Sequence, residues 1–380
     1  MVYFDNNATT PLGASALHAY KTALEQDWHN PSSPYRASAR IRAILDRARS
    51  DLAKSFGLKK EELTFTSGAT ESNNAVFAHF GKKLKPKSIC LLSPFEHSSV
   101  LESAKYWFKD RIHYLPSDDS GVVVLDGVDK ILNEEDISLV SLMAANNETG
   151  ILQPWQDMAR LCSSKGIHFH CDATQWIGKL AFEDFSLCTS FSASAHKFSG
   201  PKGMGWLASK EPIQIQIGGG QEGNLRGGTE NIPGIISMLS AWQEVKSNIA
   251  VLNDQVSWRD QFEMDLMKAM PGVKILGSKA QRLWNTSLFV APDYDNLCWV
   301  EKLDKIGFCV STGSACATNK IGYSSIASSM GLSKTESSRL IRVSSYFEQT
   351  QADWSNLAIA FGHAWEELQS EASRSSVISI

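Results

Sequence analysis

No stretch of eighteen apolar residues occurs anywhere in the chain, so the sequence offers no membrane-spanning helix. No two of its seven cysteines are spaced C-x-x-C, which removes a zinc ribbon and a thioredoxin-like redox site, and no metal centre is expected. Neither sign of charge dominates. The 37 lysines and arginines against 41 acidic residues leave a net charge of −4, which marks neither a nucleic-acid surface nor a membrane surface. Internal repeats and low-complexity linkers are also missing, and 43% hydrophobic with 21% charged residues excludes disordered and collagen-like classes. The first residues, MVYFDNNATTPLG, lack a basic segment followed by an apolar core, so no signal peptide is expected and a soluble, cytoplasmic protein is.

A chain of 380 residues can bury a large core and divide into two domains. From about residue 37 to 56, ASARIRAILDRARSDLAKSF places Ile41, Ile44, Leu45, Ala48, Leu52 and Phe56 on one helical stripe, with its arginines read as a solvated face. Short apolar runs follow: ELTFTSG, SICLLSP, LVSLMAANN, IHFHCDA, TSFSASAHK and GMGWLAS. They alternate with helical patterns near 71–83, 97–109 and 154–165. That alternation predicts an α/β domain with a mostly parallel central sheet and helices on both faces. Beyond about residue 250 the pattern becomes helix, then NTSLFVA, GFCVST and LIRVSSY, then a closing helix, as in a smaller α+β domain. The expected division is a large domain of residues 13–250 and a small one of 1–12 with 251–380.

Ligands in open α/β sheets collect beyond the carboxyl ends of the strands. The polar clusters TSGATES, PFEHSS, ANNETG, CDATQ and SAHKFSGPKG all sit at such ends, which predicts one shared site. In TFTSGATESNN a strand runs through a small-residue turn into a helix, a geometry suited either to binding a phosphate at the helix N-terminus or simply to capping the helix. Lys197 leaves an apolar strand just before a Gly/Pro turn. It is either a surface lysine or an amine able to form a Schiff base with an aldehyde cofactor. Asp172 ends a strand 25 residues earlier and could serve as a helix cap or as the acidic partner of a pyridine nitrogen. Taken together, the three point to pyridoxal phosphate. Most cysteines sit in apolar runs and read as buried side chains, but Cys316 lies in STGSACAT, among small residues that bury little.

The sequence resembles the cysteine desulfurases of the NifS/IscS type, pyridoxal-phosphate enzymes with the aspartate-aminotransferase fold. The resemblance runs nearly end to end, through DNNATTP, NPSS, TFTSGATESNN, EHSSV, NNETG, DATQ, HKFSGPKG, GGGQEGNLRGGTEN, STGSACAT and IRVS. It implies that Lys197 holds the cofactor and moves protons, that Asp172 pairs with the ring nitrogen, and that Gln175 bonds the ring hydroxyl side. His97 would stack on the ring and assist proton transfer as a catalytic residue, while Ala69, Thr70, Ser194 and His196 would bind its phosphate. Thr229 matches a threonine that the family supplies from the neighbouring subunit, which implies a homodimer with shared sites. Asn147, near the cofactor, and Arg342 would hold the carboxylate of an L-cysteine substrate.

The same resemblance makes Cys316 the nucleophile, on a mobile loop of about 311–322. It would take the substrate sulfur as a persulfide, leave L-alanine and pass the sulfur to an acceptor protein serving iron–sulfur cluster assembly or tRNA thiolation. A reactive thiol must be a thiolate and must be reachable. Ala195 stands where glycine is common, Ala144 and Ala145 where histidine and valine are common, and Tyr35 where histidine often follows NPSS. Alternatives on the same fold are a selenocysteine lyase or an aminotransferase; in another class, an inactive partner-binding scaffold.

Overall fold

The structure, a computed structural model, describes residues 1–83, 85, 87–181, 184–252, 255–313 and 325–377. In chain order its strands are β1 (Val2–Tyr3), β2 (Leu63–Thr66), β3 (Ile89–Leu92), β4 (Ile112–Tyr114), β5 (Ile137–Ser141) and β6 (Phe169–Asp172). They continue as β7 (Ser190–Ser194), β8 (Gly205–Ser209), β9 (Lys274–Ile275), β10 (Thr286–Val290), β11 (Phe308–Cys309) and β12 (Leu340–Ser344).

Seven of these form one sheet in the order β2-β8-β7-β6-β5-β3-β4. The pairs from β7 to β4 are parallel, and only β8 runs against its neighbours β7 and β2. The mostly parallel α/β sheet expected from the sequence is therefore present. Because β2 and β7 both oppose β8, the carboxyl ends of β2, β3, β5, β6 and β7 share one edge, and Thr66, Leu92, Ser141, Asp172 and Ser194 end there. All six anticipated strands of this sheet form. The seventh, β4, was not anticipated: it has three residues on the sheet's open edge, none buried, and so carries no hydrophobic signature.

Helices cover both faces because the strands are apolar on both. Leu91, Val140, Phe169, Cys171 and Phe191 join a core with Ile41, Leu45, Leu52 and Phe56 of the helix Arg36–Lys54. Cys90, Leu92 and Leu139 join the opposite core with Val76, Phe77 and Phe80 of the helix Ala69–Lys82 and with Val100 and Phe108 at the helix Ser98–Phe108. Each fully buried side chain of this size contributes about 1.5–3 kcal/mol. One arginine departs from the solvated face expected of the helix Arg36–Lys54. Arg49 donates through both terminal nitrogens to Glu222, each at 2.6 Å, and to the Leu63 carbonyl at 2.8 Å, and so fastens the Gly-rich segment around 220 to the start of β2.

A second, antiparallel sheet, β12-β10-β9, and the parallel pair β1-β11 gather around Phe4, Phe262, Phe289, Trp299, Ile341, Trp354 and Phe361. The closing helix spans Gln351–Val377. Among the described residues, no helix is long and apolar enough to cross a membrane, and no cluster of three or more His, Cys, Asp or Glu could hold a metal ion. Cys90, Cys162, Cys171 and Cys188 are buried as expected, but Cys298 is exposed and Cys309 half-buried, because each sits at the margin of the smaller core.

Candidate active site

The sheet edge gathers the polar strand ends into one connected site. Lys197 follows β7 in a single 3-10 turn, and its Nζ donates to the carbonyls of Asn7 and Ala8 at 2.7 and 2.8 Å. Asp172 ends β6 and is buried. Its Oδ1 accepts from the Thr174 N–H at 3.0 Å, and its Oδ2 accepts from Asn73 Nδ2 at 2.8 Å. His97 caps the helix Ser98–Phe108, with Nδ1 accepting from the Ser99 N–H at 3.1 Å. Burial lowers the His97 pKa; Asp172 pulls it up and Lys197 pushes it down, so the ring feels both groups and stays uncharged at neutral pH.

At the phosphate-type turn, Gly68 precedes the helix Ala69–Lys82 at φ 149°, close to where a side chain would be strained. A Cβ on Gly205 would lie 2.3 Å from the Ala193 carbonyl oxygen and 2.6 Å from the Gly68 Cα, so the two backbones meet because residue 205 is glycine. The Ala69 N–H donates to Ser194 Oγ at 2.8 Å, leaving that hydroxyl's own hydrogen for another acceptor. Thr70 is exposed at the helix start. His196 Nδ1 lies 3.1 Å from Thr9 Oγ1, and burial, followed by the nearby lysines, holds its pKa down to about 3. Glu71 ties the turn to the Gly-rich segment through Arg226 at 2.7 Å. Thr229, three residues further on, is exposed, and no described contact brings it to Ser194 or Lys197.

Gln175 and Arg342 complete the site. Gln175 donates from Nε2 to the Asn7 carbonyl at 3.0 Å, and Lys179 donates to its Oε1. Lys179 is fully buried, also donates to Asn7 Oδ1 at 2.9 Å, and is pushed well below the usual lysine range by burial first and by Lys197 next. Arg342 on β12 donates to Asp5 Oδ1 at 2.6 Å and to the Asn147 carbonyl at 3.0 Å, while its buried Nε has no partner among the described residues. The half-buried Asn147 side-chain amide takes no partner among the described residues. Cys316 lies outside the described residues; of the expected loop 311–322, only 311–313 are described.

Four contributors were not assigned from the sequence. Asn7 receives Lys197 and Gln175 on its carbonyl, and its side chain donates to Thr286 Oγ1 at 2.8 Å and to the Asn147 carbonyl at 3.2 Å. Asn73 orients Asp172, and Glu96 is fully buried beside it. Asn7 and Asn73 stand in the quoted motifs DNNATTP and TESNN, so the signal was present without a role. Lys179 stands one helical turn after Gln175, a spacing that could have paired them.

The aminotransferase class-V family pattern matches residues 2–357. A cysteine desulfurase IscS from Dictyoglomus turgidum is 36% identical over 343 residues, covering 87% of this chain and 86% of the relative. The chain belongs to the class-V aminotransferase family, among its cysteine desulfurases. A solved NifS-like protein matches this desulfurase with a TM-score of 0.88 and 31% identity, over 96% of this chain and 99% of the other. A structure titled SspA in complex with cysteine matches with a TM-score of 0.78 and 26% identity, over 90% and 98%.

Pyridoxal phosphate is the cofactor of this family, and the residues of the desulfurase fit it. The turn at Gly68 and Gly205 leaves no room for side chains beside a helix N-terminus, as a bound phosphate requires. Asp172 is a buried carboxylate of the kind a protonated ring nitrogen requires, and Lys197 is an amine of the kind that links to an aldehyde. The orphaned Arg342 Nε is a donor waiting for a carboxylate oxygen.

Proposed function

We propose that this desulfurase converts L-cysteine to L-alanine and takes the sulfur as a persulfide on Cys316 for delivery to an acceptor protein. The observation that carries the reading is the junction at Asn7. Its carbonyl receives the Lys197 amine at 2.7 Å, and its amide bonds the same Asn147 carbonyl, at 3.2 Å, that receives Arg342 at 3.0 Å. Cofactor-linking amine and substrate-binding arginine are thereby held in one rigid frame.

Bound pyridoxal phosphate supplies an electron sink for negative charge developing at the substrate Cα. Lys197 would link to it and, as a free amine, would take the proton from Cα at its Nζ. Asp172 would pair with its ring nitrogen and Gln175 with the ring hydroxyl side. Ala69, Thr70, Ser194 and His196 would hold its phosphate, and His97 would cover the ring. Arg342 and the Asn147 amide fix the substrate carboxylate, which sets the Cα proton toward Lys197. The Cys316 thiolate attacks the substrate sulfur. An S–S bond forms and the C–S bond breaks, its electron pair staying with Cβ, which gains a proton and leaves as the methyl of alanine. Thiol and cysteine together become persulfide and alanine, so atoms and electrons balance without an added oxidant.

The division into a domain of 13–250 and another of 1–12 with 251–380 belongs to this proposal, supported by the separate cores around Phe56 and around Phe361. So do the homodimer, in which an exposed Thr229 reaches the partner's phosphate site, and a cytoplasmic enzyme feeding iron–sulfur cluster assembly or tRNA thiolation.

The test measures alanine and sulfide released from L-cysteine with a reductant present, in the native protein and in Cys316→Ala. Equal yields from the native protein, lost in the variant, support the reading. Turnover that survives the substitution removes Cys316 from the chemistry. A cofactor-loaded protein that turns over selenocysteine but not cysteine is a lyase, and one that turns over neither favours the scaffold.

A further inference from the structure

The segment HFHCD carries more histidine than the cofactor site uses. His168, His170 and Asp172 alternate on one face of the strand, while Phe169 and Cys171 enter the core on the other. From Asp172 a line of contacts runs outward without a break. Asn73 donates to Asp172 Oδ2 at 2.8 Å, and its Oδ1 stands 2.9 Å from His170 Nε2 and 2.6 Å from the Ser192 hydroxyl. His170 Nδ1 and His168 Nε2 each lie 2.9 Å from the Ser190 hydroxyl between them. His168 Nδ1 lies 3.0 Å from Glu211 Oε1. Asn73, His170, Ser190 and His168 are buried, whereas the Glu211 side chain is 38% exposed, with Lys83 at 3.7 Å and His79 at 3.3 Å from its other oxygen.

Counting hydrogens shows a shortfall. The four links Asn73–His170, His170–Ser190, Ser190–His168 and His168–Glu211 each need one hydrogen. Two neutral imidazoles and one hydroxyl supply three, and an ionised Glu211 supplies none. Asn73 cannot make up the difference: the Asp172 carboxylate only accepts, so it draws the amide NH2 toward itself and leaves Oδ1 facing His170. One further proton closes the chain. His170 does not hold it, because burial pushes that ring down to about 3. Glu211 is held ionised, at about 2, first by its hydrogen bond with His168. His168 remains. Burial draws its pKa down, as do His79 and Lys210, against Glu211, and the net direction is downward. A neutral His168, however, would set lone pair against lone pair at Ser190 or at Glu211, and a proton on His168, donated to that carboxylate, relieves the clash.

We propose that Glu211, His168, Ser190, His170 and Asn73 form a one-way hydrogen-bond relay that stores one proton on His168 and, by fixing each donor in turn, holds the Asn73 amide against Asp172. These are positioning residues, and the relay lets a surface carboxylate set the environment of the carboxylate at the cofactor ring. The link to Asp172 rests on the cofactor role proposed above, whereas the proton on His168 does not.

The test uses full-length, cofactor-loaded protein labelled with 15N at its nine histidines, with signals assigned through His168→Asn and His170→Asn. His168 is expected to carry hydrogen on both nitrogens at pH 7. In Glu211→Gln its titration midpoint is expected to fall by at least one pH unit, a tenfold change. The pH midpoint of the cofactor's visible band should move in Glu211→Gln and also in Ser190→Ala, which cuts the relay, leaves the His168–Glu211 contact in place and removes the shortfall that calls for the His168 proton. A His168 neutral at pH 7 in the native protein, or titrating alike with and without Glu211, overturns the proposal. A visible band unmoved in both variants overturns the reach to Asp172. None of these readouts needs turnover, so a failed desulfurase assay leaves them decisive.

Discussion

Replacing Glu96 by glutamine isolates one buried acid beside the cofactor site. Glu96 is fully buried, its Oε1 accepts from the Ser141 hydroxyl at 3.1 Å, and its Oε2 has no partner among the described residues. Burial first, then the charge of Asp172, raises its pKa from 4.5 to about 8. The sign follows directly. A carboxyl whose folded pKa lies above its unfolded value takes up a proton on folding, so its ionisation destabilises the fold as pH rises from 4.5 toward 8. The slope between those values is about 1.4 kcal/mol per pH unit, which amounts to roughly 3–4 kcal/mol between pH 5 and pH 8. Glutamine has no such dependence. Its unpaired NH2 subtracts a constant of about 1–3 kcal/mol at every pH. The stability difference between Glu96→Gln and native protein should therefore move in favour of the variant by roughly 3–4 kcal/mol over that range. At about 2 cal/mol/K per residue, the same change is about 4–5 °C in Tm. Urea unfolding of both cofactor-loaded proteins at pH 5, 6, 7 and 8 measures it. Histidines such as His196 titrate in both proteins and cancel. Curves that stay parallel across the range would refute the claim that Glu96 is a protonated acid in the folded protein.

Two other substitutions test the frame of the site. Glu222→Ala leaves half-buried Arg49 with only the Leu63 carbonyl as acceptor and leaves the buried Phe65 N–H, now bonded to Glu222 at 2.8 Å, without one. The loss should be about 3–5 kcal/mol by denaturant unfolding. Lys130→Ala, which removes an exposed pair of 3.8 Å, should stay within about 0.5 kcal/mol, and equal losses would contradict the burial argument. Arg342→Gln removes the charged donor proposed for the substrate carboxylate. A charge-assisted bond of about 1.5–3 kcal/mol implies a ten- to hundredfold loss in kcat/KM for L-cysteine, mostly in KM, and an unchanged KM would move the carboxylate elsewhere.

The sequence by itself determined what depends on neighbours along the chain. Six short runs of apolar and small residues formed strands whose residues are nearly all buried, and the stripe from Ile41 to Phe56 faces the core because helical period alone places it there. The polar strand ends were legible for the same reason, and so was one shared site, since parallel strands must end on one edge. Short range also limited that reading. The edge strand Ile112–Tyr114 shows no buried face, and Arg49 looks like its solvated neighbours until Glu222 is brought to it.

Tertiary structure decided everything that depends on distant partners. Asn7 meets Lys197 across 190 residues and Arg342 meets Asp5 across 337, separations that no local pattern encodes. Protonation was decided there as well. Glu96, closed in beside the charge of Asp172, keeps its proton up to about 8 although the Ser141 hydroxyl and the Met143 backbone both favour its ionised form. A residue's identity sets which proton it can carry; the field and solvent access created by the fold decide whether it carries one.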